Sequence, residues 1–325
     1  MGKVLIPGLM LLVVMGTAHA GLDFYGLVDL SHGKNENVNK RGARFHSGGD
    51  DGGNGGGSQG NSTTRIGFKG GMDIGNGLEV NFKLESAEID RHLRLGANSK
   101  TIFARQAWAG LSGGFGALRF GRQDSVPYHL MGDYDLNGAA NASSALGNSG
   151  VAPWGRGNQT RLLKYISPDM HGVTVQLGYA GKEDGVANAK ATSSAGLSYA
   201  AGKFFMSVAT ESKRTNSSEH FYGLAASYDF GFVKAMAGYA DGFFGTQWKG
   251  PSIGFVSPIA GFNIGMHYGK NTVSKAEATE FFINREVFKN TYAYLDYGYL
   301  NNNGAPSTKA YALGVMYVFD LPLLR

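Results

Sequence analysis

No cysteine occurs among the 325 residues, so neither disulfides nor thiolate metal sites hold this fold. Proline is rare, with 8 residues, against 51 glycines. That balance suits many tight turns and close strand contacts and fits helices poorly. Beyond residues 1–20 no apolar run is long enough to form a helical membrane span. Mean hydropathy is −0.18, which alone reads as a soluble chain. Hydropathy overlooks barrels, however, because their strands hide half their residues from lipid. Charge of one sign is also missing. The formal balance is +5, and without residues 1–20, whose charged group is Lys3, it is 29 basic to 25 acidic residues, or +4. That is too little for nucleic-acid binding and matters only if the basic groups line a confined space.

What is present is alternation. In Leu78-Glu79-Val80-Asn81-Phe82-Lys83-Leu84-Glu85 every second residue is apolar. In Tyr311-Ala312-Leu313-Gly314-Val315-Met316-Tyr317-Val318-Phe319 one parity is uniformly large and apolar. Period two sends each set to its own face of a strand. The pattern recurs from Gly21 to Phe319 in segments of roughly ten residues, with no convincing helical pattern among them. Glycine-rich punctuation such as Gly70-Gly71, Gly75, Gly77 and Gly113-Gly114 falls between segments, where turns belong. Counting segments predicts about sixteen strands, an even number. Short turns (Asp73–Gly77, Gly113–Gly116, Ser167–Gly172) alternate with long polar stretches (Lys34–Gly60, Ile89–Ser99, Asp124–Asn158), the layout of a membrane β-barrel.

Residues 1–20 read as a secretory signal. Lys3 precedes the short apolar run Leu9–Met15, and Ala18-His19-Ala20 is a cleavage site. Export with barrel alternation predicts an outer-membrane protein. The expected organisation is signal 1–20, barrel 21–319 and a C-terminal extension 320–325. The stretch Gly48–Gly60 has no means of forming a core and reads as an external loop. Asp124–Asn158 differs, because it carries Val126, Tyr128, Leu130, Met131, Tyr134, Leu136, Leu146 and Trp154. Its length and apolar content predict packing against the inner wall of a barrel.

Several motifs occur in order: Ser62-Thr63-Thr64-Arg65-Ile66-Gly67-Phe68-Lys69-Gly70, Gly75-Asn76-Gly77-Leu78, Phe103-Ala104-Arg105-Gln106-Ala107-Trp108-Ala109-Gly110-Leu111, Gly113-Gly114-Phe115-Gly116, Phe120-Gly121-Arg122-Gln123 and Leu163-Lys164-Tyr165-Ile166-Ser167-Pro168-Asp169. Together they resemble the general porins of Gram-negative outer membranes. The resemblance implies an all-β fold, a sixteen-stranded antiparallel transmembrane β-barrel with the third external loop folded into the pore. It also implies a homotrimer and passive passage of small hydrophilic solutes, without cofactor or metal. The chain departs from such porins at its end, where Asp320–Arg325 follow the aromatic Phe319. Pro322 cannot extend the interior of a paired strand, so closure is expected at Phe319.

Parity sets Arg65 with Thr63, Gly67 and Lys69, opposite Ile66 and Phe68. An arginine facing lipid at mid-membrane costs about 2–4 kcal/mol, so Arg65 belongs in the lumen. The same reasoning turns Arg105 inward and Trp108, Ile66, Phe68, Val80 and Phe82 outward. By resemblance, Arg65 and Arg105 match the arginines on the wall facing the folded loop, and Arg161, with Arg156, would extend that row. Asp133 and Asp135 match the acidic loop residues opposite. The alternative is structural pairing of these arginines with Glu79 or Glu85. The run Asp133-Tyr134-Asp135-Leu136-Asn137-Gly138 also opens like a calcium loop, but its twelfth position is Ser144 in place of the bidentate glutamate.

Other signatures fail on context. Gly55-x-Gly57-x-x-Gly60 precedes a strand, Gly110-Leu111-Ser112-Gly113-Gly114 opens no helix, and the eight histidines show no metal spacing. The expectation is a diffusion channel in contact with outer-membrane lipid, with a mild preference for anions and no nucleic-acid partner. The alternatives are a solute-specific porin with a saturable site or an outer-membrane lipid hydrolase. The hydrolase needs a Ser/His pair at the lipid boundary that the sequence does not offer.

Overall fold

A computed structural model describes residues 20–36, 42–48, 60–86, 89–90, 92, 94–95, 102–242 and 247–324. Residues 1–19 of the expected signal and most of the glycine-rich stretch lie outside the described residues, and Ala20 begins the first strand. The strands, in order, are β1 (Ala20–Asn35), β2 (Arg44–Ser47), β3 (Arg65–Gly75), β4 (Leu78–Glu85), β5 (Gln106–Gly113), β6 (Gly116–Asp124), β7 (Asn158–Ile166), β8 (Val173–Ala180) and β9 (Thr192–Ala201). They continue with β10 (Phe204–Glu211), β11 (Phe221–Asp229), β12 (Lys234–Asp241), β13 (Lys249–Ile259), β14 (Phe262–Lys270), β15 (Glu277–Phe288), β16 (Thr291–Asn301) and β17 (Thr308–Leu324). The short β2 pairs with the loop-side half of β1. The other sixteen form one antiparallel ring: β1 pairs with β3, each later strand pairs with the next, and β17 returns to β1. Closure pairs each strand of the ring on both sides among the described residues, as lipid, unable to hydrogen-bond backbone groups, requires.

The register assigns every strand residue a face. Ile283, Leu295 and Leu313 stand opposite one another on the outside, while Phe282, Asp296 and Ala312 stand opposite one another within. In the apolar outer set Leu295 and Leu313 are exposed and Ile283 is partly so, while the inner set is buried. The predicted parity of the early strands holds for four residues. Ile66, Phe68, Val80 and Phe82 face outward, while Arg65 pairs with Leu27 on the inner face.

Trp108 is a correction. It pairs with Lys83 on the inner face, its Nε1–H donates to Gln106 Oε1 at 3.0 Å, and the Arg119 guanidinium lies 4.4 Å over its ring. Because β5 begins at Gln106, a parity count started at Arg105, ahead of the strand, does not carry into it. A large ring is tolerated in the lumen because it stacks beneath a cation.

The C-terminal boundary is a second correction. β17 does not stop at Phe319: Asp320, Leu321 and Pro322 pair with Tyr25, Phe24 and Asp23. The pairing of β16 to β17 ends at Thr291 and Tyr317, so these last residues are paired on one side only. There a proline forfeits no ladder bond, and the register shift between Leu22 and Asp23 accommodates it.

The long connection after β6 enters the barrel. It holds two short helices, α1 (Val126–Met131) and α2 (Ala145–Ser149), with a 3-10 turn at Gly132–Tyr134 between them. Ser125 and Ser144 cap them by accepting from the backbone N–H of Tyr128 and Gly147, both at 3.2 Å, and α2 ends at Gly150, φ +71. With 6 and 5 residues, neither helix is long enough to show a periodic pattern in sequence. Helix α1 packs on β8–β10 and α2 on β14–β16. Val126, Met131, Leu146 and Val151 are fully buried against the wall, each worth about 1.5–3 kcal/mol. Inward-facing glycines make the room. A Cβ at Gly223 would strike the Pro153 carbonyl, and one at Gly298 would strike Ser143.

Candidate functional site

The inserted loop leaves a lumenal cavity of about 440 Å³, lined by Arg65, Arg105, Tyr128, His129 and Asp133 among others. The register places the wall side of it. Gly67 stands opposite Glu85, and Glu85 opposite Gln106. The long-loop ends of β3, β4 and β5 therefore meet. Glu85 is buried among cations. Its Oε2 lies 3.8 Å from Arg65 Nε and 3.5 Å from Lys83 Nζ and accepts the Tyr25 hydroxyl at 2.8 Å. Its Oε1 pairs with Arg105. Arg65 is further fixed by Ser62 Oγ at 3.2 Å and the Thr63 carbonyl at 2.9 Å. The structural pairing with Glu85 that the sequence leaves open is therefore present. One carboxylate among three cations leaves the wall net positive, and both arginines still line the cavity.

Two more cations extend this wall. Arg119 and Lys164 stand opposite each other on the inner face, and Lys164 Nζ donates to the Asp124 carbonyl at 2.9 Å. His129 adds no charge at neutral pH. Burial first, then Lys164, pushes its imidazole down to about 4.

The loop acids separate. Asp133 is exposed and lines the cavity. Asp135 faces the other way and is buried at the seam between loop and wall. It accepts from Ser144 Oγ at 2.7 Å and from the Asn137 N–H at 3.2 Å. Asn137 in turn donates to Glu280 Oε1 at 2.8 Å and Asp296 Oδ1 at 3.0 Å, and Asn61 donates to Asp296 Oδ2 at 3.1 Å. Asp135 therefore anchors the loop and does not face the permeating solute. A turn of backbone between the two residues sends successive acids to opposite sides, so they do not converge as calcium ligands.

Asp135, His267 and Glu280 bring one ligand atom each within 4.8 Å of the others. The Leu136 N–H donates to His267 Nε2 at 3.2 Å, so the ring proton sits on Nδ1, 3.2 Å from Glu280 Oε2. A protonated Nδ1 has no lone pair for a metal, and the trio reads as a hydrogen-bonded lock.

Arg161 is not brought to this wall. Between the pairs Gly121–Leu162 and Gln123–Gln159, β7 carries one residue more than β6. Arg161 sits in that bulge at φ +51, exposed, donating to the Lys182 carbonyl at 2.9 Å and paired with Asp184. Arg156 is held at 2.6 Å by Glu183 and 3.2 Å by Glu211.

Burial first, and the Glu280 carboxylate second, push the Asp135 carboxyl up to about 6. A folded value above that of an exposed aspartate means the loop's seat is strongest below about pH 4 and weakens as pH rises through about 6. Amide exchange in residues 133–145 is therefore expected to accelerate, relative to an Asp135→Asn variant, between pH 5 and pH 7.5. A constant ratio of the two would show that Asp135 titrates outside this interval.

A closed strand ring with an apolar outside, a charged inside and an inserted loop defines a pore-forming membrane barrel. The family model for Gram-negative porins matches residues 8–305, and the chain belongs to that family. Membership places it among the outer-membrane proteins of Gram-negative bacteria. An outer membrane porin protein of Bordetella pertussis is 31% identical over 57% of this chain and 54% of that protein. Major outer membrane protein P.IB of Neisseria meningitidis is 31% identical over 46% of this chain and 43% of that protein. The chain spans about half the length of the curated relatives it matches. An anion-selective porin from Comamonas acidovorans shares the fold at a TM-score of 0.69 and 19% identity, covering 92% of this chain and 100% of that one.

Proposed function

We propose that the chain forms a passive diffusion pore for small hydrophilic solutes and ions, assembled as a homotrimer, with a mild preference for anions. The observation that supports it is the cavity between the basic wall at Arg65 and Arg105 and the exposed Asp133. Opposed charges across a narrow lumen with low-dielectric walls focus a transverse field, which orders water and sorts small solutes by charge and size. On the wall around the cavity the cations Arg65, Lys83, Arg105 and Arg119 outnumber Glu85, Asp124 and Asp133, which supports a preference for anions. The likeness in fold to an anion-selective porin points the same way. The apolar outward set Ile66, Phe68, Val80 and Phe82 on the early strands supplies a surface for subunit contact.

The cavity beside Arg65 and Arg105 is partly open to the lumen and not enclosed, which favours diffusion over a saturable site. Liposomes containing the protein should swell in uncharged sugars at rates that fall steadily with sugar size and rise linearly with concentration. Saturation at low concentration for one sugar would overturn general diffusion in favour of a solute-specific site.

A further inference from the structure

The outer wall carries a groove of about 370 Å³ at the short-turn end of β14 to β17, among Phe262, Ile283, Arg285, Ala293, Leu295 and Leu313. The register puts Arg285 opposite Ala293 on the outward face. Ala293 supplies the floor: a single methyl group stands where its neighbours Ile283, Leu295 and Leu313 project full side chains. Arg285 stands three residues before Phe288, at the end of the wall where the short turns lie, and its guanidinium sits 5.0 Å over the Phe262 ring. No ion pair engages it among the described residues.

Its position is unlike that of other charges on the wall. Among the described strand residues, those that the register turns outward and that carry charge lie next to the long loops, as Lys270, Glu277 and Lys309 do. Several of these are paired, Lys270 with Glu277 and Lys249 with Asp241. Arg285 alone faces outward in the short-turn half. An outward arginine is costly at mid-membrane and is tolerated near an interface, where headgroup phosphates lie within its reach. A guanidinium matches a phosphate through two parallel N–H donors.

We infer that this groove binds one glycerophospholipid of the inner leaflet of the outer membrane, with an acyl chain over Ala293 and the phosphate on Arg285. The chemistry requires both parts. The groove is mostly apolar and meets hydrocarbon. Of its two charged lining residues, Glu286 stands opposite Tyr292 on the inward parity and accepts the Asn290 N–H at 2.7 Å, which leaves the outward Arg285 as the charge at the rim. A ligand with a long apolar chain and an anionic head fits this pair of features.

Native mass spectrometry of the intact protein in mild detergent, titrated with phosphatidylglycerol and with a diacylglycerol of the same chains, tests the assignment. The wild type should retain one phosphatidylglycerol in preference to diacylglycerol. Arg285→Gln should lower phosphatidylglycerol occupancy at least fivefold and leave diacylglycerol unchanged. Ala293→Phe, which fills the floor, should lower both, and Ala293→Leu serves if the larger ring disturbs folding. Single-channel conductance should stay at the wild-type level in each variant, because neither residue faces the lumen. Equal phosphatidylglycerol occupancy in wild type and both variants overturns the inference. So does loss of the oligomer in Ala293→Phe with lipid occupancy intact, which would make the groove a contact between copies of the chain.

Discussion

Replacing Arg65 and Arg105 together by glutamine turns the pore toward cations. The two guanidinium groups line the cavity and hold Glu85 between them. At about 10 Å from a permeating ion, and at an effective dielectric constant of about 40, each unit charge contributes about 0.8 kcal/mol. Removing both raises the energy of chloride by about 1.6 kcal/mol and lowers that of potassium by as much, so the chloride-to-potassium permeability ratio falls by about two hundredfold. The substitution also releases Glu85 from two of its three cations, which adds to the same direction. Glutamine keeps much of the arginine's length, so conductance should change far less than selectivity. The shift should shrink in concentrated salt, where the screening length falls to about 3 Å. A double variant with unchanged reversal potential would mean that Lys83, Arg119 and Lys164 set selectivity without the arginines.

Excising residues 133–149, so that Gly132 meets Gly150, raises conductance. The segment occupies lumen, and the wall beneath it includes small residues such as Gly269 and Gly298, which leave wide space once it has gone. The widened pore should conduct roughly twice the current. Selectivity should move toward cations as well, because Glu280 and Asp296, now buried beneath the loop, would face water in the lumen. Gly223→Val keeps the loop but forces it off the wall at Pro153, further into the lumen, so its conductance should fall. Two folded variants with wild-type conductance would show that the loop does not limit flow.

Much of this architecture is legible in sequence because a membrane barrel obeys period two. Arg65, Ile66, Phe68, Val80 and Phe82 fall on the faces that alternation assigns. The insertion of Asp124–Asn158 follows from apolar side chains in a connection too long to be a turn. Three features escape, each for a local reason. Arg105 lies before β5, so parity counted from it misplaces Trp108. A bulge in β7 turns Arg161 out of the row, and nothing in Gln159-Thr160-Arg161-Leu162 signals it. Pro322 continues a strand because its partner on one side has already ended. Asp135 fails differently. In sequence it is the twin of Asp133, and only the fold shows that His267, Glu280 and Ser144 wait on its side of the loop. Arg119 was readable by alternation against Leu118 and Phe120. Lys164 was hidden, because its parity mates Leu162 and Ile166 are apolar.

The central claim is an open, water-filled pore whose basic wall outweighs its acids. The most direct test is the reversal potential of single wild-type channels in a planar bilayer under a potassium chloride gradient at neutral pH. The account predicts steady ohmic conductance and a potential of the sign that marks chloride as the more permeant ion. A potential marking potassium as the more permeant ion would contradict it and place selectivity with Asp133 and Glu85.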